Sequence, residues 1–99
     1  MLISVIITTY NSPKFLKQCL NSFVNQNDKN FEVVVADDGS TKETKELTYS
    51  YKDKLKINHV WHADKGFRAA KIRNEAVKIS SGKYLVFIDG DCITYNDFI

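Results

Sequence analysis

Apolar and polar positions alternate along the chain in two rhythms. Ile3 to Thr8 is a β-branched run and predicts a buried strand. Asn11-Ser12-Pro13 then supplies a helix start, with Ser12 at the N-cap and Pro13 at the first helical position. Leu16, Leu20, Phe23 and Val24 recur at helical spacing, carrying that helix to about Gln26. Phe31 to Ala36 predicts a second buried strand, ending in Asp37-Asp38-Gly39-Ser40. Ser40 and Glu43 have the spacing of a capping box, so a polar helix is expected from Ser40 onward. Ile57 to Trp61 reads as a third strand. Phe67 to Ile79 reads as a third helix, with Ile72, Ala76, Val77 and Ile79 inward and Gly82 near its end. Tyr84 to Ile88 reads as a fourth buried strand, closed by Asp89-Gly90-Asp91, and Asn96 to Ile99 as the opening of a further helix.

The order βαβαβαβ predicts an α/β fold, a parallel sheet with helices on both faces. With 99 residues, 43% of them hydrophobic, the chain is at most one domain. A formal charge of +2 gives no case for nucleic acid or an anionic membrane as partner. Cys19 and Cys92, without CxxC spacing, support neither a zinc site nor a disulfide framework, so a reducing compartment is expected. No apolar run is long enough to span a bilayer, and the N-terminus lacks the basic region of a signal peptide. The expectation is a cytoplasmic chain, membrane-associated only through regions outside it, and the N-terminal part of a longer protein.

Open parallel sheets bind ligands beyond the carboxyl ends of their strands. Those ends are polar here: Thr8-Thr9-Tyr10-Asn11, Asp37-Asp38-Gly39-Ser40, His62-Ala63-Asp64-Lys65-Gly66 and Asp89-Gly90-Asp91. Asp89 and Asp91 flank a glycine and can reach one hard divalent cation, Mg²⁺ or Mn²⁺, as readily as they can form a plain Asp-Gly turn. Asp37 or Asp38 can accept a ring N–H of a pyrimidine, or both can belong to a turn with Gly39 at positive φ. Every basic residue is lysine except Arg68 and Arg73, which fall together in the stretch from Lys65 to Asn74. A planar multi-donor group at a helix start favours a diphosphate, whereas a solvated face would pair Arg73 with Glu32 or Glu75. His59 and His62 read as strand and loop residues rather than metal ligands. The dinucleotide fingerprint and the Walker A pattern are absent.

These motifs, taken in order over essentially the whole chain, resemble the family 2 glycosyltransferases of the GT-A fold, a Rossmann-like three-layer sandwich, here truncated after the fourth strand. The spacing Gly-Phe-Arg-x-x-x-x-Arg-Asn and the run Asp-Gly-Asp-Cys-Ile look most like the chondroitin-polymerase and galactosyltransferase-like branch. The resemblance implies that Thr8, Tyr10, Asn11 and Asp38 or Asp37 surround the uracil and ribose of a UDP-sugar. It sets Lys65, Arg68, Arg73 and Asn74 beside the uridine, sugar or diphosphate. Asp89 and Asp91 would hold ribose and the Mn²⁺ or Mg²⁺. It implies inverting transfer of a sugar to a glycan acceptor hydroxyl, with the base downstream of Ile99. Residues 1–99 alone would at most bind donor. An incomplete sheet would also leave an edge for pairing between copies. A nucleotidyltransferase would show a Gly-rich, Arg-containing loop after the first strand, and a receiver-like module an acidic pair there; neither is present. A degenerate module that only binds nucleotide would have lost acidic and basic groups that this chain retains.

Overall fold

The computed structural model describes residues 3–66 and 68–99. Seven elements follow in the expected order: β1 (Ile3–Thr9), α1 (Pro13–Val24), β2 (Phe31–Asp37), α2 (Lys42–Tyr49), β3 (Ile57–Trp61), α3 (Ala69–Ile79) and β4 (Tyr84–Asp89). The strands form one parallel sheet in the order β3-β2-β1-β4. The chain winds outward from β1 through β2 to β3, then crosses back to lay β4 on the other side of β1. Strand order therefore reverses between β1 and β4, where the ends of two neighbouring strands diverge into a crevice.

Side-chain alternation sorts the sheet into two faces. Val5, Ile7, Phe31, Val33, Val35 and Ile57 pack against Leu16, Leu20 and Phe23 of α1 and Leu47 of α2. Ile6, Val34, Ala36 and Val60 point the other way and meet Ile72 and Ala76 of α3. The smaller second layer covers the sheet with one helix only. Near the amino ends of the strands, buried Glu32 accepts hydrogen bonds from the Ser4 hydroxyl (2.6 Å) and from the Ser81 amide (2.6 Å) and hydroxyl (3.0 Å). Burial pushes its pKa up, but these donors and Lys56 outweigh burial and hold the carboxyl below its ordinary range.

Several expectations need correction. The polar helix starts at Lys42, not Ser40, and no side chain caps it. The Ser40 hydroxyl instead receives the Asn11 amide at 2.8 Å. Ser12 stands at the N-cap of α1 but its hydroxyl donates to the Tyr10 carbonyl (3.0 Å), so it caps in position only. Gly82 forms no helix cap; a Cβ there would lie 2.6 Å from the Ser4 amide nitrogen, so its role is close approach of backbones. Phe67, the expected start of α3, lies outside the described residues. Ile79, expected inward, is 46% exposed. β4 is not a buried strand. It lies at the sheet edge, α3 packs over β1, β2 and β3, and Tyr84 (64%) and Phe87 (51%) remain exposed. Residues 96–99 form a turn rather than a helix, with the Asn27 amide donating to the Asn96 carbonyl and the Ile99 amide to Gln26 Oε1.

Candidate functional site

The end of β1 joins the two acidic turns. The Asp38 amide donates to the Thr9 carbonyl (3.0 Å) and the Gly90 amide to the Thr8 carbonyl (2.8 Å). The Thr8 hydroxyl donates to Asp89 Oδ1 at 3.1 Å. These bonds set the turns after β2 and β4 on either side of Thr8 and Thr9. Gly90 permits the second approach, since a Cβ there would lie 2.8 Å from the Thr8 oxygen.

Two adjoining hollows open at this crevice. One, of about 210 Å³, is lined by Thr8, Thr9, Tyr10, Asp38, Ala69, Arg73 and Asp89. The other, of about 300 Å³, shares Thr8, Thr9, Tyr10 and Asp89 and adds Ser12, Phe15, Gly90 and Asp91. The structure thus brings Thr8, Tyr10, Asp38, Arg73, Asp89 and Asp91 to one continuous rim. Among the described residues, Arg73 has no hydrogen-bond or ion-pair partner. Glu32 is held by Ser4 and Ser81, and Glu75 pairs with Lys78 at 3.2 Å, so neither carboxylate proposed as its structural partner takes it.

Other candidates stand elsewhere. Asp37 is fully buried and its carboxylate faces inward, receiving the Ser40 amide (2.9 Å) and pairing with His59 Nε2 (2.8 Å). Asn11 adopts φ 45°, a left-handed conformation that Asn tolerates, and clips two loops by accepting the Thr41 amide at 2.9 Å. Arg68 sits at the N-cap of α3, where its guanidinium donates to the Ala63 carbonyl. Lys65 and Asn74 are exposed and line neither hollow.

Asp38 is held in place by two donors. His62 Nε2 bonds one carboxylate oxygen and the Arg68 amide the other, at 2.9 Å. Burial alone would push its pKa up; His62 and Arg68 outweigh it and hold the carboxyl below its ordinary range. An ionised, oriented carboxylate at 6% exposure is an acceptor prepared for one more N–H donor. Tyr10 donates its hydroxyl to Asp64 Oδ2 at 2.6 Å, and that bond raises the phenol pKa. Together with Gly66 these residues wall a third hollow beside Asp38. Sequence reasoning passed over His62, Asp64 and Thr9 as site residues. The available signal was the parallel register, which sets the end of β3 beside Asp37.

For a divalent cation, the donor set is oxygen only. Asp91 is exposed, its nearest polar contact among the described residues being the weak Cys92 thiol at 3.9 Å, and it lines the same hollow as Asp89. Two carboxylates suit Mg²⁺ or Mn²⁺ that keeps further positions for water and phosphate oxygens. No cluster of three or more His, Cys, Asp or Glu suited to a metal occurs among the described residues.

Residues 4–99 match the model of the family "Glycosyl transferase family 2", and the chain belongs to that family. It is 41% identical over 90 residues to validoxylamine A glucosyltransferase of Streptomyces hygroscopicus subsp. jinggangensis, across 89% of this chain and 21% of that protein. It is 38% identical over 93 residues to the poly(ribitol-phosphate) β-N-acetylglucosaminyltransferase TarS of Staphylococcus aureus, across 92% of this chain and 16% of that one. The crystal structure of TarS residues 1–349 in complex with UDP-GlcNAc superposes with a TM-score of 0.88 at 36% identity, covering 97% of this chain and 28% of that one. The mannosyltransferase PcManGT of Pyrobaculum calidifontis, in complex with GDP-Man and Mn²⁺, superposes with a TM-score of 0.81 at 25% identity, covering 92% and 28%. The chain spans about a fifth of the length of the curated relatives it matches. The expected chondroitin-polymerase-like branch is thereby corrected in favour of relatives such as TarS and the validoxylamine glucosyltransferase. The spacing that suggested it describes a loop–helix joint, with Arg68 capping α3 and Arg73 one turn inside, which does not single out a branch. No helix among the described residues is long and apolar enough to cross a membrane.

Proposed function

We infer that residues 1–99 form the nucleotide-sugar-binding part of an inverting glycosyltransferase that moves a hexosyl unit from a UDP-sugar to an acceptor hydroxyl of a growing glycan. One observation carries this reading: Arg73, without a partner among the described residues, lines the same hollow as Thr8, Tyr10, Asp38 and Asp89. TarS, solved with UDP-GlcNAc, shares the fold over nearly the whole chain. In this reading Asp38 accepts the ring N–H of the base, and His62 and the Arg68 amide keep its carboxylate from turning away. Tyr10 and Thr8 flank the base and ribose, and Asp89 takes a ribose hydroxyl. Arg73 and the first turn of α3, represented in the hollow by Ala69, face the diphosphate, where a cation and a helix N-terminus both favour negative charge. Asp89 and Asp91 would hold Mn²⁺ or Mg²⁺, which when bound neutralises charge on the diphosphate leaving group. In this reading, as the resemblance implies, the acceptor proton goes to a carboxylate beyond these residues, and residues 1–99 bind donor without turning it over.

Thermal unfolding with UDP, GDP, ATP or acetyl phosphate, each with and without Mn²⁺ or Mg²⁺, tests the reading. It predicts a rise in Tm with UDP that grows when Mn²⁺ is added. Stabilisation by acetyl phosphate with Mg²⁺ and none by UDP would overturn it.

A further inference from the structure

The loop between β3 and α3 is fastened at both ends to the turn after β2. His62 Nε2 bonds one oxygen of Asp38, and the Arg68 amide donates to the other at 2.9 Å. Between these anchors the main chain of Asp64 lies directly on Gly39, where a Cβ would come within 2.5 Å of the Asp64 Cα. The Arg68 guanidinium ties the loop to itself through the Ala63 carbonyl. The backbone of Asp64 is therefore held in place, and its exposed side chain reaches over to the end of β1. There Oδ2 accepts the Tyr10 hydroxyl at 2.6 Å, from a residue 54 positions away in sequence.

The position of Tyr10 makes this bond matter. Among the described residues it is the one aromatic side chain lining either hollow that contains Asp38. It is also 47% exposed. A side chain that open to solvent samples several rotamers, and fixing one of them on binding subtracts from affinity. Asp64 fixes the ring beforehand, as a flat apolar wall beside the Asp38 carboxylate. Charge points the same way. Asp38 and Asp64 border one hollow of about 360 Å³ with Tyr10 and Gly66, and among the described residues its lining holds no cation. Arg73 lines the adjoining hollow. A diphosphate is repelled by the paired carboxylates and drawn to Arg73, so the base is the end of a nucleotide that turns to Tyr10.

We propose that Asp64 is a positioning residue for the nucleotide: it holds the Tyr10 ring as the wall against which the base is laid. The proposal deepens the donor-binding function inferred for this cleft and rests on it. Asp64 acts through Tyr10 and does not touch the diphosphate or the sugar.

Calorimetric titration with UDP and with inorganic pyrophosphate, each with Mn²⁺, tests this, because pyrophosphate carries the charge without the base. Asp64→Ala should weaken UDP binding about tenfold and leave pyrophosphate binding unchanged. Asp64→Asn, whose amide oxygen still accepts the phenol proton, should bind UDP within about threefold of the parent. Tyr10→Phe should lose as much as Asp64→Ala, and the two together should lose no more, as expected of residues that act through one bond. Equal losses of UDP and pyrophosphate would mark a general structural role and overturn the proposal. So would parent-like UDP binding by Asp64→Ala, additive losses in the double variant, or Asp64→Asn binding as weakly as Asp64→Ala. A parent chain that binds no UDP with Mn²⁺ would overturn the donor-binding function itself, and this proposal with it.

Discussion

Two acidic turns lie on either side of the end of β1, and they are built for different purposes. After β2, Asp37 and Asp38 are 0% and 6% exposed, and both oxygens of each carboxylate are already engaged by protein donors. After β4, Asp89 and Asp91 are exposed, and among the described residues their carboxylates meet only the Thr8 hydroxyl and a distant thiol. The first turn sits between two paired strands, where an unpartnered carboxylate would be costly, so its charges are fixed in place. The second ends an edge strand, and its carboxylates stay exposed to solvent. In the proposed reading, one rim combines a rigid recognition element with an open coordinating one.

Substitutions should separate the two turns by their effect on stability. The largest loss is expected from Gly39→Ala. Gly39 has φ +90°, and a Cβ would lie 2.5 Å from the Asp64 Cα, so strain and clash add to about 3 kcal/mol, read from the urea midpoint. Asp37→Ala should follow, at about 2 kcal/mol, because it leaves the Ser40 amide and His59 buried without a partner. UDP affinity should change little in Asp37→Ala if that side chain is purely structural; a selective loss of UDP binding would break the distinction.

A smaller effect concerns acid. Asp38 and Glu32 both have folded pKa values below their unfolded ones. Each therefore contributes stability that is complete above the unfolded carboxylate pKa, about 4, and is lost as pH falls through the folded value. Asp38→Asn and Glu32→Gln should each lower stability at neutral pH and flatten its decline in acid. A decline as steep as the parent's in both variants would contradict the hydrogen-bond account. The smallest stability change, within about 0.5 kcal/mol, is expected for Asp91→Asn, an exposed turn residue. The same substitution should abolish the part of UDP binding that depends on Mn²⁺.

Much of this architecture was legible in advance. The strand of β-branched residues from Ile3, the run from Phe31 and the heptad-like Leu16, Leu20 and Phe23 follow from period alone, because burial on one face imposes it. The rim was legible too, since parallel topology sends all four polar segments to one edge. Three things were not. Ser40 and Glu43 matched a capping box, but Asn11 took the Ser40 hydroxyl, a partner 29 residues away that local spacing cannot reveal. Tyr84 to Ile88 reads as apolar, yet apolar content does not distinguish a central strand from an edge one. Which of Asp37 and Asp38 faces the cleft depended on side-chain parity at the end of β2, and only the pairing with His59 and His62 displays it.

The central claim is that Asp38, Arg73, Asp89 and Asp91 share one nucleoside-diphosphate site. Paramagnetic line broadening of backbone amides by Mn²⁺ in the presence of UDP reads that site directly. The account predicts broadening centred on Thr8 to Tyr10 and Asp89 to Asp91, extending to Arg73 and weak at Trp61, and lost in Asp91→Asn. Broadening that is centred elsewhere, or that survives Asp91→Asn unchanged, would contradict it.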